Sequence, residues 1–146
     1  MSILGRMNKY IITILCVLCC AGLTILTFSA ALANDLDQQL LDAAGKGEAK
    51  RVMQLLELGA SPDARDKYQG TPLIYSAWYG YVEVMKLLLC YGAEVDARQQ
   101  QGQTALHGAA SNCRTDAVKL LLCSGADADA KNKVGQTPLG WCTCPN

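Results

Sequence analysis

The sequence predicts an all-α fold, a solenoid in which one helix-turn-helix unit is stacked on copies of itself. Three observations lead there. The segment Gly102 to His107, Gly-Gln-Thr-Ala-Leu-His, returns 33 residues later as Gly-Gln-Thr-Pro-Leu-Gly, Gly135 to Gly140. The pairs Gly59-Ala60, Gly92-Ala93 and Gly125-Ala126 keep the same spacing, as do Asp63-Ala64, Asp96-Ala97 and Asp129-Ala130, and the leucine pairs at 55–56, 88–89 and 121–122. Helix-start and helix-stop residues punctuate successive periods at matching places. A fixed period of this length means one supersecondary unit per period, burying its apolar face against its neighbours. Such a stack offers an extended binding surface rather than a catalytic pocket.

The N-terminal segment is organised differently. Arg6 and Lys9 precede Ile11 to Phe28, a mostly apolar stretch without charge, and Ala31-Leu32-Ala33 precedes Asn34-Asp35. A positive start, an apolar run and a small-residue motif are the layout of a secretory signal peptide over residues 1–33, cleaved between Ala33 and Asn34. The run is long for such a peptide, so an uncleaved membrane helix is the rival reading. Cys16, Cys19 and Cys20 do not follow Gly, Ala or Ser, which disfavours lipid attachment. The segment carries two of the 13 basic residues and none of the 13 acidic ones, so residues 34–146 have a formal charge of −2. That near balance argues against nucleic acid as the main partner. Residues 34–146 hold no second apolar run long enough to span a bilayer.

Residues 34–146 suffice for one small domain and divide into four units. The first, about Asp35 to Asp66, opens with Asp35, Asp37, Gln38 and Gln39, as suits an N-terminal cap with one wet face. The second, about Lys67 to Gln99, starts its first helix with Thr71 as N-cap and Pro72 at the first helical position. Gly80 closes that helix. The second helix, about Val82 to Tyr91, carries Val84, Leu87, Leu88 and Tyr91 at helical spacing, and Gly92 stops it. The third unit, about Gln100 to Asn132, is complete. The fourth, from Lys133 to Asn146, repeats the cap with Thr137 and Pro138 and has one helix, with Pro145 near its end. The small pairs Ala43-Ala44, Ser76-Ala77 and Ala109-Ala110 occupy equivalent positions and let helices approach closely. Tyr75, Gly108 and Trp141 form a large-small-large series, in which two rings share the volume left by Gly108.

The register carries a resemblance. Thr71-Pro72-Leu73-Ile74, Thr104-Ala105-Leu106-His107 and Thr137-Pro138-Leu139-Gly140, with Val118 to Leu122 and Gly125-Ala126-Asp127, resemble the signature of ankyrin repeats. The resemblance runs from about Asp35 onward. It implies two antiparallel helices per repeat, joined to the next by a β-hairpin-like finger. It also implies a protein–protein interaction module whose contacts come from finger tips and the exposed ends of first helices. On this chain the fingers offer Arg65, Lys67 and Tyr68, then Arg98, Gln100, Gln101 and Gln103, then Lys131, Lys133 and Gln136. The helix ends offer Trp78 and Tyr79, then Ser111 and Asn112. Tyr68, Trp78 and Tyr79 are of the type found at binding hot spots; their competing role is to cover neighbouring helices. With its leader, the chain is similar to exported bacterial ankyrin proteins. That likeness implies a periplasmic or secreted protein, supporting a stress-defence enzyme or neutralising a toxin. If the leader is uncleaved, the protein is instead an inner-membrane-anchored scaffold.

The cysteines raise a separate question. Gly47 and Gly80 mark the turn between the two helices of the first and second units, and Cys113 takes that place in the third. The turn calls for a positive φ, which glycine adopts freely and cysteine does not. Beyond the leader stand Cys90, Cys113, Cys123, Cys142 and Cys144, an odd number for an oxidising compartment. Cys90 and Cys123 are equivalent positions on stacked helices about 8–10 Å apart, and a disulfide needs Cα atoms within about 7 Å. Cys113 with Cys144, or failing that Cys142, is better placed, near the ends of first helices in consecutive units. Buried apolar thiols are an equal alternative. A thiol-redox role for Cys142 and Cys144 is the least favoured. Their spacing is not Cys-x-x-Cys and no second ligand pair accompanies it, so no metal is expected.

His107 is the single histidine of the chain. In the resembling pattern its position serves hydrogen bonding between helix start and finger. Asp96 and Asp129 recur at turn positions. No glycine-rich phosphate loop follows a strand, and no carboxylate pair shares a cleft. The expectation is a non-enzyme without cofactor, whose partner is another protein rather than a small-molecule substrate or nucleic acid, with membrane contact only through an uncleaved leader.

Overall fold

The computed structural model describes the backbone of residues 25–141 and the side-chain surroundings of residues 32–140. Two compact units divide the chain, Met1–Asp35 and Leu36–Asn146. The described part of the first is helical from Ile25. Among the described residues there are six α-helices, one 3-10 turn and no strand. They run α1 Ile25–Lys46, α2 Ala49–Glu57, α3 Pro72–Tyr79, α4 Val82–Cys90, α5 Ala105–Ser111 and α6 Thr115–Cys123, then the 3-10 turn Leu139–Trp141. Helices therefore come in pairs at the sequence period, and the fold is an all-α repeat solenoid.

Local chemistry sets each boundary. Thr71 has extended backbone, and its hydroxyl oxygen accepts the Ile74 N–H at 3.3 Å. Pro72 sits at the first helical position, and Gly80 ends α3 in the left-handed region at φ 80°. Thr137 repeats the cap, accepting the Gly140 N–H at 3.3 Å. Within the described residues this cap leads into the short 3-10 turn, where the sequence predicts a helix. α1 starts upstream of the expected first unit, and the expected cleavage point between Ala33 and Asn34 falls inside it. The rest of the expected signal peptide lies outside the described residues. Among those described, no helix is long and apolar enough to cross a membrane.

The turn between paired helices has φ 75° at Gly47, 80° at Gly80 and 56° at Cys113. At the first two of these turns glycine also makes room for a neighbouring side chain. A Cβ on Gly47 would come within 2.8 Å of the Tyr81 ring, and one on Gly80 within 2.8 Å of the Arg114 side chain. Tyr81 and Arg114 are equivalent residues, so each lies over the turn of the preceding repeat.

The core is continuous through the repeats. Leu40 and Ala44 of α1, Val52 and Leu56 of α2, Leu73 and Ala77 of α3, Val84 and Leu88 of α4, Leu106 and Ala109 of α5 and Leu121 of α6 belong to one cluster. First helices α3 and α5 pack together in one layer, and second helices α2, α4 and α6 in the other. The small pairs 43–44, 76–77 and 109–110 are all buried, which allows that close first-helix packing. The ring against Gly108 is that of Trp78, where a Cβ would meet Cε3 at 3.3 Å. Tyr75, the expected occupant of that volume, instead turns toward Gly70 and Asp66. The side chain of Trp141 lies outside those described.

Candidate functional site

The fingers are built by one recurring position. Asp66 Oδ1 accepts the N–H groups of Tyr68 at 2.9 Å and Gly70 at 2.8 Å. Its other oxygen accepts the Tyr75 hydroxyl at 2.6 Å. Asn132, two periods on, accepts the N–H groups of Val134 at 3.0 Å and Gln136 at 2.9 Å. Between them stands Gln99, whose side-chain amide donates to Gln103. Backbone bonds tie finger to finger: Gln100 N–H to Tyr68 O at 2.9 Å, and Lys133 N–H to Gln101 O at 3.0 Å.

Two grooves open beside the first helices, one between α1 and α3 and one between α3 and a finger. One, of about 290 Å³, is lined by Gln38, Leu41, Asp42, Gly45 and Lys46 of α1 with Tyr75 and Tyr79 of α3. The other, of about 250 Å³, has Ile74 and the rings of Tyr75, Trp78 and Tyr79 as one wall and Gln99, Gln101 and Gln103 as its amide wall. Tyr75 and Tyr79 are shared by both. Tyr79 is 48% exposed; Trp78 is 37% exposed, with part of its ring packed against Gly108 and the rest open to the groove. Tyr79 lies 5.7 Å from the Tyr81 ring, which steadies it.

Tyr75 is held in place by charge. Partial burial, then donation to the Asp66 carboxylate, push its hydroxyl up to about 12. For Asp66, burial pushes upward, but the Tyr75 hydroxyl and the Gly70 and Tyr68 amides outweigh it and hold the carboxyl below its ordinary range. The pair thus stays as neutral phenol and carboxylate over a wide pH span. It fixes one of the two rings that both grooves share.

The residues singled out from the sequence fall into three groups. Trp78, Tyr79, Gln101 and Gln103 come together in the second groove. Lys67, Tyr68, Gln100, Lys131 and Lys133 are exposed along the finger row, with the Lys67 ammonium 4.9 Å from the Tyr68 ring centre. The rest make bonds within the fold. Arg65 donates to the Arg98 carbonyl at 3.1 Å, and Arg98 to the Lys131 carbonyl at 2.7 Å, each reaching one repeat ahead. Ser111 and Asn112 both donate to the Gly108 carbonyl. Tyr75, Gln99 and the α1 residues were not singled out. Tyr75 reads as core in sequence because its period partner is Gly108.

Asp96, expected with Asp129 as a turn former, acts between repeats, and so does Asp63. Asp63 accepts the Glu94 N–H at 2.8 Å, and Asp96 the Asp127 N–H at 3.0 Å. His107 is fully buried. Its Nε2 faces the Gln136 carbonyl at 3.1 Å and so donates; its Nδ1 receives the Thr104 N–H at 3.3 Å. The ring joins a helix start to the next finger. Cys113 is disulfide-bonded, and Cys90 and Cys123 are free thiols on the surface. Cys142 and Cys144 lie outside the described residues. Among those described, no group of three or more His, Cys, Asp or Glu side chains is placed to hold a metal ion.

Comparison with known proteins gives a consistent picture. The family pattern described as ankyrin repeats (3 copies) matches residues 7–99, 40–132 and 84–146. The ankyrin repeat protein nuc-2 of Neurospora crassa is 36% identical over 72 residues. That likeness covers 44% of this chain and 7% of the relative, so the chain spans a small part of that protein's length.

Proposed function

Since this chain belongs to the ankyrin-repeat family, and ankyrin repeats form protein–protein interaction modules, we propose that it binds its partner through the two grooves beside Tyr75 and Tyr79. The observation that carries this reading is the pair of aromatic rings, Trp78 and Tyr79, left exposed beside an amide wall. Aromatic side chains at a groove supply large contact area with little ordering cost, which is why they dominate binding energies. The mechanism is complementarity on a rigid scaffold, with no bond made or broken. Trp78→Ala should weaken partner binding by about 2 kcal/mol or more, some thirtyfold. Tyr79→Ala should act in the same direction. Both are measured by isothermal titration beside thermal melting. A large loss of stability with unchanged affinity would show the rings to be packing and sink the reading.

The proposal extends to where the protein acts. The leader supports export, with residues 1–33 removed and binding taking place in the periplasm or outside the cell. There it would support a stress-defence enzyme or neutralise a toxin. Mass spectrometry of periplasmic or secreted material should show a chain beginning at Asn34. An intact N-terminus in the membrane fraction would favour an anchored scaffold instead.

A further inference from the structure

We infer that the segment received by the second groove is acidic: a stretch of a partner protein with an apolar side chain flanked by aspartates or glutamates. This rests on the groove reading above and adds the chemistry of the occupant. Arg65, Lys67, Arg98, Lys131 and Lys133 stand exposed on three successive fingers. Of the carboxylates near them in the chain, Asp66 is occupied by two backbone amides and the Tyr75 hydroxyl, Asp63 and Asp96 accept the Glu94 and Asp127 amides, and Asp129 is exposed. Glu94 lies 3.7 Å from Arg65. Among the described residues, Lys67, Lys131 and Lys133 form no salt bridge, and Lys67 acts on Asp66 at longer range. Residues 34–146 as a whole are acidic by two charges, so the three exposed lysines are a local feature and not a general excess. Like charges held side by side repel each other, and an anionic partner relieves that repulsion while steering its own approach.

Geometry joins these lysines to the groove. Gln100 is bonded to the backbone of Tyr68, and Gln101 to the backbone of Lys133. The finger that supplies the amide wall is therefore flanked by the finger that carries Lys67 on one side and the finger that carries Lys133 on the other. A side chain seated against Trp78 and Tyr79 brings its chain neighbours over these ammonium groups. At about 250 Å³ the groove has room for a single anchor side chain.

The test is selection of a random peptide library displayed on phage against the full chain as its host produces it. Selected sequences should be enriched in Asp and Glu around one apolar or aromatic residue. Binding of a selected synthetic peptide should fall about tenfold or more in the triple variant Lys67→Glu, Lys131→Glu, Lys133→Glu, and should weaken with added salt. These lysines are exposed, so the variant is expected to fold; circular dichroism checks this. Selected peptides without acidic enrichment, or acidic ones that bind the triple variant equally well, overturn the inference and leave the groove reading standing. Peptides that bind Trp78→Ala and Tyr79→Ala as tightly as wild type overturn the groove reading itself. Displacement of the peptide by an oligothymidylate at equal concentration would assign the lysines to nucleic acid and also overturn the inference.

Discussion

Tyr75 shows how one residue couples the finger to the groove. Its hydroxyl is bonded to Asp66, which also closes the finger turn. The consequence is a defined pH dependence. The phenol is raised from an ordinary 10.0 to about 12, so its contribution to stability is complete below pH 10.0 and is lost as pH climbs toward 12. Asp66 is held below its ordinary 3.8, so its contribution is present above that pH and is lost as pH falls through the lowered value. Tyr75→Phe should therefore lower stability at neutral pH, by about 1 kcal/mol for a half-exposed bond to a charge. It should also flatten the alkaline loss between pH 10 and 12 relative to wild type. Melting temperatures across that range check both. Equal alkaline slopes in the two proteins would show that the hydroxyl is not held by Asp66.

At the scale of the element, the finger turn has one imperfect copy. Gly102 and Gly135 adopt φ 76° and 82° at the tip, and the equivalent residue in the preceding finger is Gln69 at φ 62°. A side chain in the left-handed region costs energy that glycine avoids. Gln69 is exposed, so replacing it removes little packing. Gln69→Gly should stabilise the protein by about 1 kcal/mol, less the added freedom of the unfolded chain. Denaturant unfolding measures it, and a destabilised variant would mean that the Gln69 side chain supports the finger. The paired helices obey the same rule at their turn. Glycine at 47 and 80 is demanded by both φ and the overlying Tyr81 and Arg114 side chains.

At the scale of the whole molecule, stability is a sum over neighbouring repeats, and contacts between them decide how far order extends. Arg65 and Arg98 reach carbonyls one repeat ahead. Asp63 and Asp96 accept amides from the next turn along the chain. A covalent bond adds to these contacts, since Cys113 of the third repeat is disulfide-bonded. With Cys144, or failing that Cys142, as the expected partner, the bond closes a loop of about thirty residues worth ~3 kcal/mol. Reduction should loosen the fourth repeat first, seen as faster amide exchange from Gly135 to Gly140. Non-reducing peptide mapping identifies the partner. Exchange that is unchanged on reduction would mean that packing alone holds this segment.

The sequence by itself determined the period, the helix pairs, the Thr71, Pro72 and Gly80 boundaries and the odd conformation at Cys113. Each of these depends on a residue's own backbone preference, or on neighbours within a few positions. A recurring residue type also marks a recurring position. It does not say which way the side chain points. Only the tertiary structure decided that Arg65 and Arg98 clamp carbonyls, that Tyr75 turns to Asp66 and that Trp78 lies on Gly108. The candidate groove was half legible for that reason. Its exposed rings and finger glutamines come from the family register, but its shared wall, Tyr75, depends on bonds and packing between residues that the period alone does not pair.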